Sequence, residues 1–267
     1  MIGTSPSERA SPPRVDVLGV RVSATTIDET LRVIEGWIAR REPHYVCVTG
    51  MHGVMESQQD IRLRRIHNDA GLVTPDGMPL VWLCWLKGHR RVERVYGPDL
   101  MLALCRRSEA KGYRHYFYGA SPAVLEALTT RLSHRFPRLV VPGSYAPPFR
   151  QLDAREDELV VEQIRQASPD VLWVGLSTPK QERWMADHVD RLGVPVLIGV
   201  GAAFDFHSGF KRQAPRWMQR NGLEWLFRVS SEPRRLWRRY LINIPRFAWY
   251  LALDGLGLRR PPQGHAS

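Results

Sequence analysis

One carboxylate stands alone in the stretch GLVTPDGMPLVW, residues 71–82. Asp76 has Pro75 before it and Gly77 after it, with apolar residues beyond on both sides. Such flanks strip away part of its hydration. That raises its pKa and makes it a better proton acceptor near neutral pH. Asp is also a common N-cap, and on spacing alone a cap for a helix beginning near Met78 is the preferred role. Asp205 lies in GAAFDFH, residues 201–207, where Asp205 and His207 offer two ligands, too few for a metal site. No Asp-x-Asp motif occurs in the chain. No obligatory divalent ion and no other cofactor is therefore expected, and Asp205 reads as structural or sugar-contacting. His52, in TGMHG, follows a candidate strand and would either donate to a ligand or cap the next helix.

Three strand-to-helix turns share a design suited to phosphate. Tyr118-Gly119-Ala120-Ser121-Pro122 follows HYFY, Gly175-Leu176-Ser177-Thr178-Pro179 follows VLWV, and Gly199-Val200-Gly201-Ala202 follows VPVLI. In the first two, a hydroxyl at N-cap precedes proline at N1, and Thr178 with Gln181 fits a capping box. Glycines let the backbone approach a diphosphate, and free amides at helix N-termini attract it. Any parallel sheet also has such turns for structural reasons. Gly199-x-Gly201 has Phe204 where a dinucleotide fingerprint needs its third glycine, and no P-loop is present.

The elements that must position these residues alternate along the chain. Candidate strands are 15–20, 45–49, 72–74, 115–118, 139–141, 171–175 and 194–200, and amphipathic segments run over 26–40, 99–111, 122–136, 155–167 and 179–192. This alternation implies an α/β fold, Rossmann-like, with a mostly parallel sheet and helices on both faces. The runs VLWVG and VLIGV suit strands buried on both sides. VPGSYAPPF, 141–149, reads as a loop. The organisation expected is a disordered leader over 1–14, a catalytic domain over 15–210, a basic aromatic appendage over 211–260 and a disordered tail over 261–267.

Charge is concentrated. Of a net +11, residues 211–260 hold nine, from twelve Lys+Arg against Glu224, Glu232 and Asp254. Arg228, Arg234, Arg235, Arg238 and Arg239 are interleaved with Trp225, Leu226, Phe227, Leu236, Trp237 and Tyr240. Arginine with tryptophan at helical spacing suits an anionic membrane surface, and arginine forks suit diphosphates. A helical hairpin packed on the core with a solvated basic face is the plainer alternative. The run 247–253 is too short to span a bilayer, and Pro245 is expected to interrupt the segment before it. MIGTSPSERASPPR has no apolar h-region of a signal peptide. Cys47, Cys84 and Cys105 form no CxxC pair and read as buried reduced thiols.

Five stretches taken together resemble one family. They are TPDGM (74–78), GLSTPKQE (175–182), GVGAAFDFHSG (199–209) running into RQAP (212–215), GLEWLFR (222–228) and EPRRL (232–236). In this order they are similar to the WecG/TagA/CpsF glycosyltransferases, glycosyltransferase family 26. The resemblance covers 15–240. It implies a metal-independent inverting enzyme that moves an N-acetylmannosamine-type or glucose-type sugar from a UDP-sugar to a polyprenyl-diphosphate-linked acceptor. Such steps build teichoic acid linkage units or other cell-surface polysaccharides. It further implies a peripheral location on the inner face of the cell membrane. Residue by residue, it makes Asp76 the general base, places Thr49 and Gln181 near the donor, and gives Arg228, Arg235 and Arg238 the diphosphate charge. Met51 stands where the family often has asparagine. His52, Gly119, Ser121, Gly175, Gly199, Gly201 and Asp205 complete the expected substrate site. No nucleic-acid partner is expected, and a homo-oligomer is left open. The competing readings are a dinucleotide-dependent oxidoreductase, which lacks its glycine fingerprint, and a basic nucleic-acid-binding module.

Overall fold

The computed structural model describes residues 11–258, except for the side chains of Arg235 and Arg239. Residues 1–10 of the expected leader and 259–267, with the expected tail, lie outside the described residues.

The chain opens on a hairpin. β1 (Arg14–Val17) and β2 (Val20–Ser23) pair antiparallel, so the strand expected over 15–20 is broken at Leu18-Gly19. Both turn residues take positive φ, 55° and 84°, the hand that matches strand twist in a two-residue loop. Asp16 Oδ1 accepts the Gly19 amide at 3.0 Å. The turn was hidden because leucine carries no turn signature.

α1 (Ile27–Arg40) follows, opened by a capping box between Thr26 and Glu29. Then come β3 (His44–Thr49), α2 (Met51–Gln59), α3 (Ile61–Asp69), β4 (Leu72–Pro75), α4 (Met78–Leu86), α5 (Gly97–Lys111), β5 (Arg114–Gly119) and α6 (Pro122–Arg135). β6 (Val140–Tyr145), α7 (Ala154–Ala167), β7 (Val171–Gly175), α8 (Lys180–His188) and β8 (Val196–Gly199) complete the alternating part. β3 to β8 form one six-stranded parallel sheet in the order β4-β3-β8-β7-β5-β6, covered by helices in a Rossmann-like α/β fold.

The two central strands are buried on both faces, as their unbroken apolar runs predict. Alternate residues point to opposite sides. Leu172, Val174 and Leu197 join the core on one face, while Val171, Trp173, Val196 and Ile198 join the core on the other. The three cysteines are buried and unpaired.

Three local expectations are corrected. The loop over 141–149 begins as an edge strand, β6. Its register jumps from Arg114↔Val140 to Tyr116↔Gly143, leaving Val141 and Pro142 as a bulge, and an edge position tolerates Pro and Gly. Thr178 does not cap α8. The N-cap is Pro179, and the Thr178 hydroxyl turns instead to donate to Glu182 Oε1 at 2.8 Å. Pro245 does not interrupt the C-terminal segment. After α9 (Ala203–Ser208), α10 (Arg216–Arg220) and α11 (Glu224–Ser231), the helix α12 (Pro233–Gly255) runs straight through it. Proline removes one amide donor, and burial of Leu236 and Phe247 holds the helix on the core. The expected domain boundary near 210 falls between α9 and α10.

Candidate active site

The carboxyl ends of β3, β4 and β8 open onto a cleft of about 570 Å³. Asp76, His52, Gln181 and Gly201 line it from the sheet, together with Arg94 and Tyr96 from the segment before α5. The opposite wall comes from α11 and α12, with Glu224, Arg228, Tyr240 and Phe247. One wall is therefore built by the parallel sheet and the other by the basic aromatic segment.

Asp76 follows β4 directly. Its amide donates to Thr49 O at 3.0 Å, so the end of β3 fixes its backbone. Its carboxylate does not cap α4, whose N-cap is Gly77 without a side-chain bond. Instead Oδ1 accepts the amide of Gly97, the first residue of α5, at 3.2 Å. The cap expected from spacing is thus made to a different helix, 21 residues on. Oδ2 faces Gly50, 3.8 Å from where a Cβ there would stand, and has no hydrogen-bond partner among the described residues. Burial pushes the Asp76 carboxyl up to about 6, with Glu224 adding to the rise and Arg94, Arg228 and the Gly97 amide opposing it. A half-buried carboxylate with one free oxygen can accept a proton near neutral pH.

Two arginines reach the cleft with different commitments. Arg94 is held by the carbonyl of Asp76 and by Glu224 Oε2, and lies 4.0 Å from the Tyr96 ring centroid. Tyr96 in turn donates to Glu224 Oε1 at 3.2 Å. Burial lowers the Arg94 pKa, but the charges of Asp76 and Glu224 outweigh it and hold the guanidinium protonated. Arg228 sits beside Glu224, Nε to Oε1 at 3.8 Å, with its guanidinium 5.6 Å from the Phe206 ring centroid. Beyond this ion pair its terminal nitrogens make no hydrogen bond among the described residues, so they can meet a ligand anion in the cleft. Arg94, Tyr96 and Glu224 were not picked out by sequence reasoning. The signal for Glu224 was present in its i,i+4 spacing to Arg228; none marks Arg94, whose partners come from other elements.

The remaining expected residues are distributed around this centre. Thr49 is buried beneath the cleft floor, its hydroxyl donating to Cys47 O at 3.3 Å and its methyl against Gly53. His52 lines the cleft 3.7 Å from Glu56. Gly201, at φ 51°, lines it as well. Gly199 lies under the Gln181 and Met185 side chains. Gly119 and Gly175 pack on each other, and a Cβ on Gly119 would stand 2.6 Å from Gly175 O. Gly175 also faces the Phe204 ring. Ser121 caps α6 as expected, accepting from Val124 N at 3.4 Å. None of Gly119, Ser121, Gly175 or Gly199 lines the cleft. Asp205 pairs with Lys211 at 3.0 Å, outside the lining. Arg238 is exposed, 5.3 Å from the Trp237 ring centroid. Arg235 lies on α12 with its side chain outside the described residues. Among the described residues no group of three or more His, Cys, Asp or Glu could hold a metal ion.

Residues 15–261 match the model described as the Glycosyl transferase WecG/TagA/CpsF family. Two relatives share the name N-acetylglucosaminyldiphosphoundecaprenol N-acetyl-beta-D-mannosaminyltransferase. The one from Bacillus subtilis (strain 168) is 32% identical over 181 residues, 68% of each chain. The one from Staphylococcus aureus (strain MW2) is 27% identical over 247 residues, covering 92% of this chain and 94% of its own.

Proposed function

The chain belongs to the WecG/TagA/CpsF glycosyl transferase family, and on that premise we propose that it moves a sugar from a UDP-sugar to a polyprenyl-diphosphate-linked acceptor with inversion and without a metal ion. Family membership decides for glycosyl transfer over the oxidoreductase and nucleic-acid readings. The relatives' names supply the class of acceptor. The observation that carries the reading is Asp76: a carboxylate raised to about 6, with one free oxygen, facing a cleft that also presents Arg228.

In this mechanism Asp76 takes the proton from the acceptor hydroxyl as its oxygen bonds to the anomeric carbon. The bond from that carbon to the diphosphate oxygen breaks, and UDP leaves with the electron pair. Arg228 offsets the charge that develops there, as a fixed cation in a partly dry site. Arg235 and Arg238 remain candidates for the lipid diphosphate. The donor-side candidates are Gln181, Gly201 and His52, with Thr49 supporting Asp76 from below.

The reading places the enzyme on the inner face of the cell membrane as a peripheral protein. It is supported by exposed Trp217, Leu226, Trp237, Leu241, Ile242 and Trp249 beside exposed arginines of α12. Apolar and basic groups together suit an anionic interface. No helix among the described residues is long and apolar enough to cross a membrane. The test is UDP release from a panel of UDP-sugars, with a polyprenyl-diphosphate-linked N-acetylglucosamine acceptor and excess EDTA. Acceptor-dependent release from one UDP-sugar is expected. Release from none of them, or release abolished by EDTA and restored by a divalent ion, would overturn the donor or the metal-independent part respectively.

A further inference from the structure

Gln181 and Glu182 stand side by side at the start of α8, and both are buried, at 2% and 1% exposure. Glu182 Oε1 accepts two hydrogen bonds, from Gln181 Nε2 at 3.1 Å and from Thr178 Oγ1 at 2.8 Å. Burial raises the pKa of this carboxyl and leaves Oε2 without a partner among the described residues, but Oε1, bound by two donors, acts as an acceptor. It therefore takes the NH₂ end of the Gln181 amide and turns the amide oxygen the other way.

That oxygen, Gln181 Oε1, ends beside Gly201, 3.5 Å from where a Cβ on Gly201 would stand. Gln181, Gly201, Ser177 and Thr178 together form this edge of the cleft. The oxygen is buried and meets no donor among the described residues. A buried acceptor without a donor is unfavourable to keep, and a ligand hydrogen entering at Gly201 would satisfy it. Packing also restrains the amide. A Cβ on Gly199 would stand 3.1 Å from Gln181 Nε2 and 2.7 Å from Met185 Cε, so the side chain is wedged against the end of β8.

We propose that Glu182 is a positioning residue that holds Gln181 as an obligate hydrogen-bond acceptor, so that the site selects a sugar nucleotide presenting a hydroxyl or amide hydrogen at the Gly201 edge. This rests on the UDP-sugar reading. Thr178 fixes the same carboxylate oxygen with a second hydrogen bond, completing a relay from the α8 turn to the cleft. Glu182→Gln keeps the shape and removes the constraint. The new amide can donate to Gln181 Oε1, which lets Gln181 turn its NH₂ toward the ligand.

The experiment compares the full chain as wild type, Glu182→Gln, Thr178→Val and Thr178→Ser. Calorimetry measures binding of UDP and of UDP-N-acetylmannosamine. Kinetics separate donor KM from kcat, and thermal unfolding checks the fold. Glu182→Gln is expected to weaken binding and raise donor KM roughly tenfold, the worth of one hydrogen bond to a buried acceptor, with kcat and Tm nearly unchanged. Thr178→Val gives a smaller rise that Thr178→Ser restores. Weakening of UDP itself assigns the selected hydrogen to the nucleotide; weakening of the UDP-sugar alone assigns it to the sugar, and either supports the proposal. Unchanged KM in Glu182→Gln, with or without lower kcat and Tm, overturns it. A wild type that binds neither UDP nor the UDP-sugar overturns the donor reading instead.

Discussion

After β4 the chain turns through Asp76-Gly77 onto an open cleft; after β5 it turns through Gly119-Ala120-Ser121 onto its own neighbour. Both turns lie at carboxyl ends of parallel strands, where open sheets of this kind bind ligands. In the first, the carboxylate keeps one oxygen toward space shared with Arg228. In the second, Gly119 at φ 124° presses its backbone on Gly175, and the Ala120 amide donates to Gly175 O at 3.3 Å. A glycine turn that looks ready for phosphate can therefore be glycine because another strand end already occupies the space. Position at the sheet edge makes a site available, and what packs against the turn decides whether it is used.

The largest effect that would break this contrast belongs to Asp76. Asp76→Asn is expected to lower turnover roughly 10³-fold, within the range for losing a general base, while UDP binding persists. The wild type should gain kcat/KM as pH rises through about 6, where the Asp76 carboxyl ionises, and the variant should lack that limb. Stability moves in the opposite sense. The folded state keeps a proton on Asp76 that the unfolded chain releases from the ordinary 3.8 upward. Stability contributed by this group is thus full below that value and is lost as pH rises toward 6. Above pH 6 Asp76→Asn should be the more stable protein, by about 1–2 kcal/mol after discounting for its partial exposure. Denaturation of both proteins at pH 4 and pH 7 checks the sign. Retained turnover in the variant would remove Asp76 from the base role.

Arg228 tests the opposite wall of the same cleft. Arg228→Ala is expected to lower kcat about 10²-fold, as for removal of one preorganised donor to a developing anion. Arg228→Lys should recover part of it, since charge returns without the fork. An effect confined to Tm would make Arg228 a structural partner of Glu224.

Gly119 tests the closed turn. Gly119→Ala adds a methyl at positive φ and 2.6 Å from Gly175 O, so it should destabilise the fold by about 2–4 kcal/mol. Donor KM and kcat of the folded fraction should stay unchanged. A selective rise in donor KM with unaltered Tm would show that this turn meets the ligand after all, and would erase the contrast.

Much of this was legible in residue order. Buried runs such as VLWVG read directly as central strands because burial on both faces needs no polar alternation. Ser121 read as a cap because its hydroxyl acts on an amide three residues away. The stretch 141–149 and the turn at Leu18-Gly19 did not read correctly, since an edge bulge and a left-handed leucine are set by pairing partners that local composition does not name. At the cleft, the stretches TPDGM and GLEWLFR marked Asp76 and Arg228, but not that they share one cleft.

The sequence by itself determined the α/β alternation and the family, and singled out Asp76 as a candidate, because periodicity and motif order are properties of neighbours along the chain. Tertiary structure decided which helix Asp76 caps, that Arg94 is hydrogen-bonded to Glu224 while Arg228 only pairs with it at 3.8 Å, and that Gly119 is packed shut. Each of these depends on groups tens to more than a hundred residues apart, where only folding sets the distance on which hydration, charge and packing act.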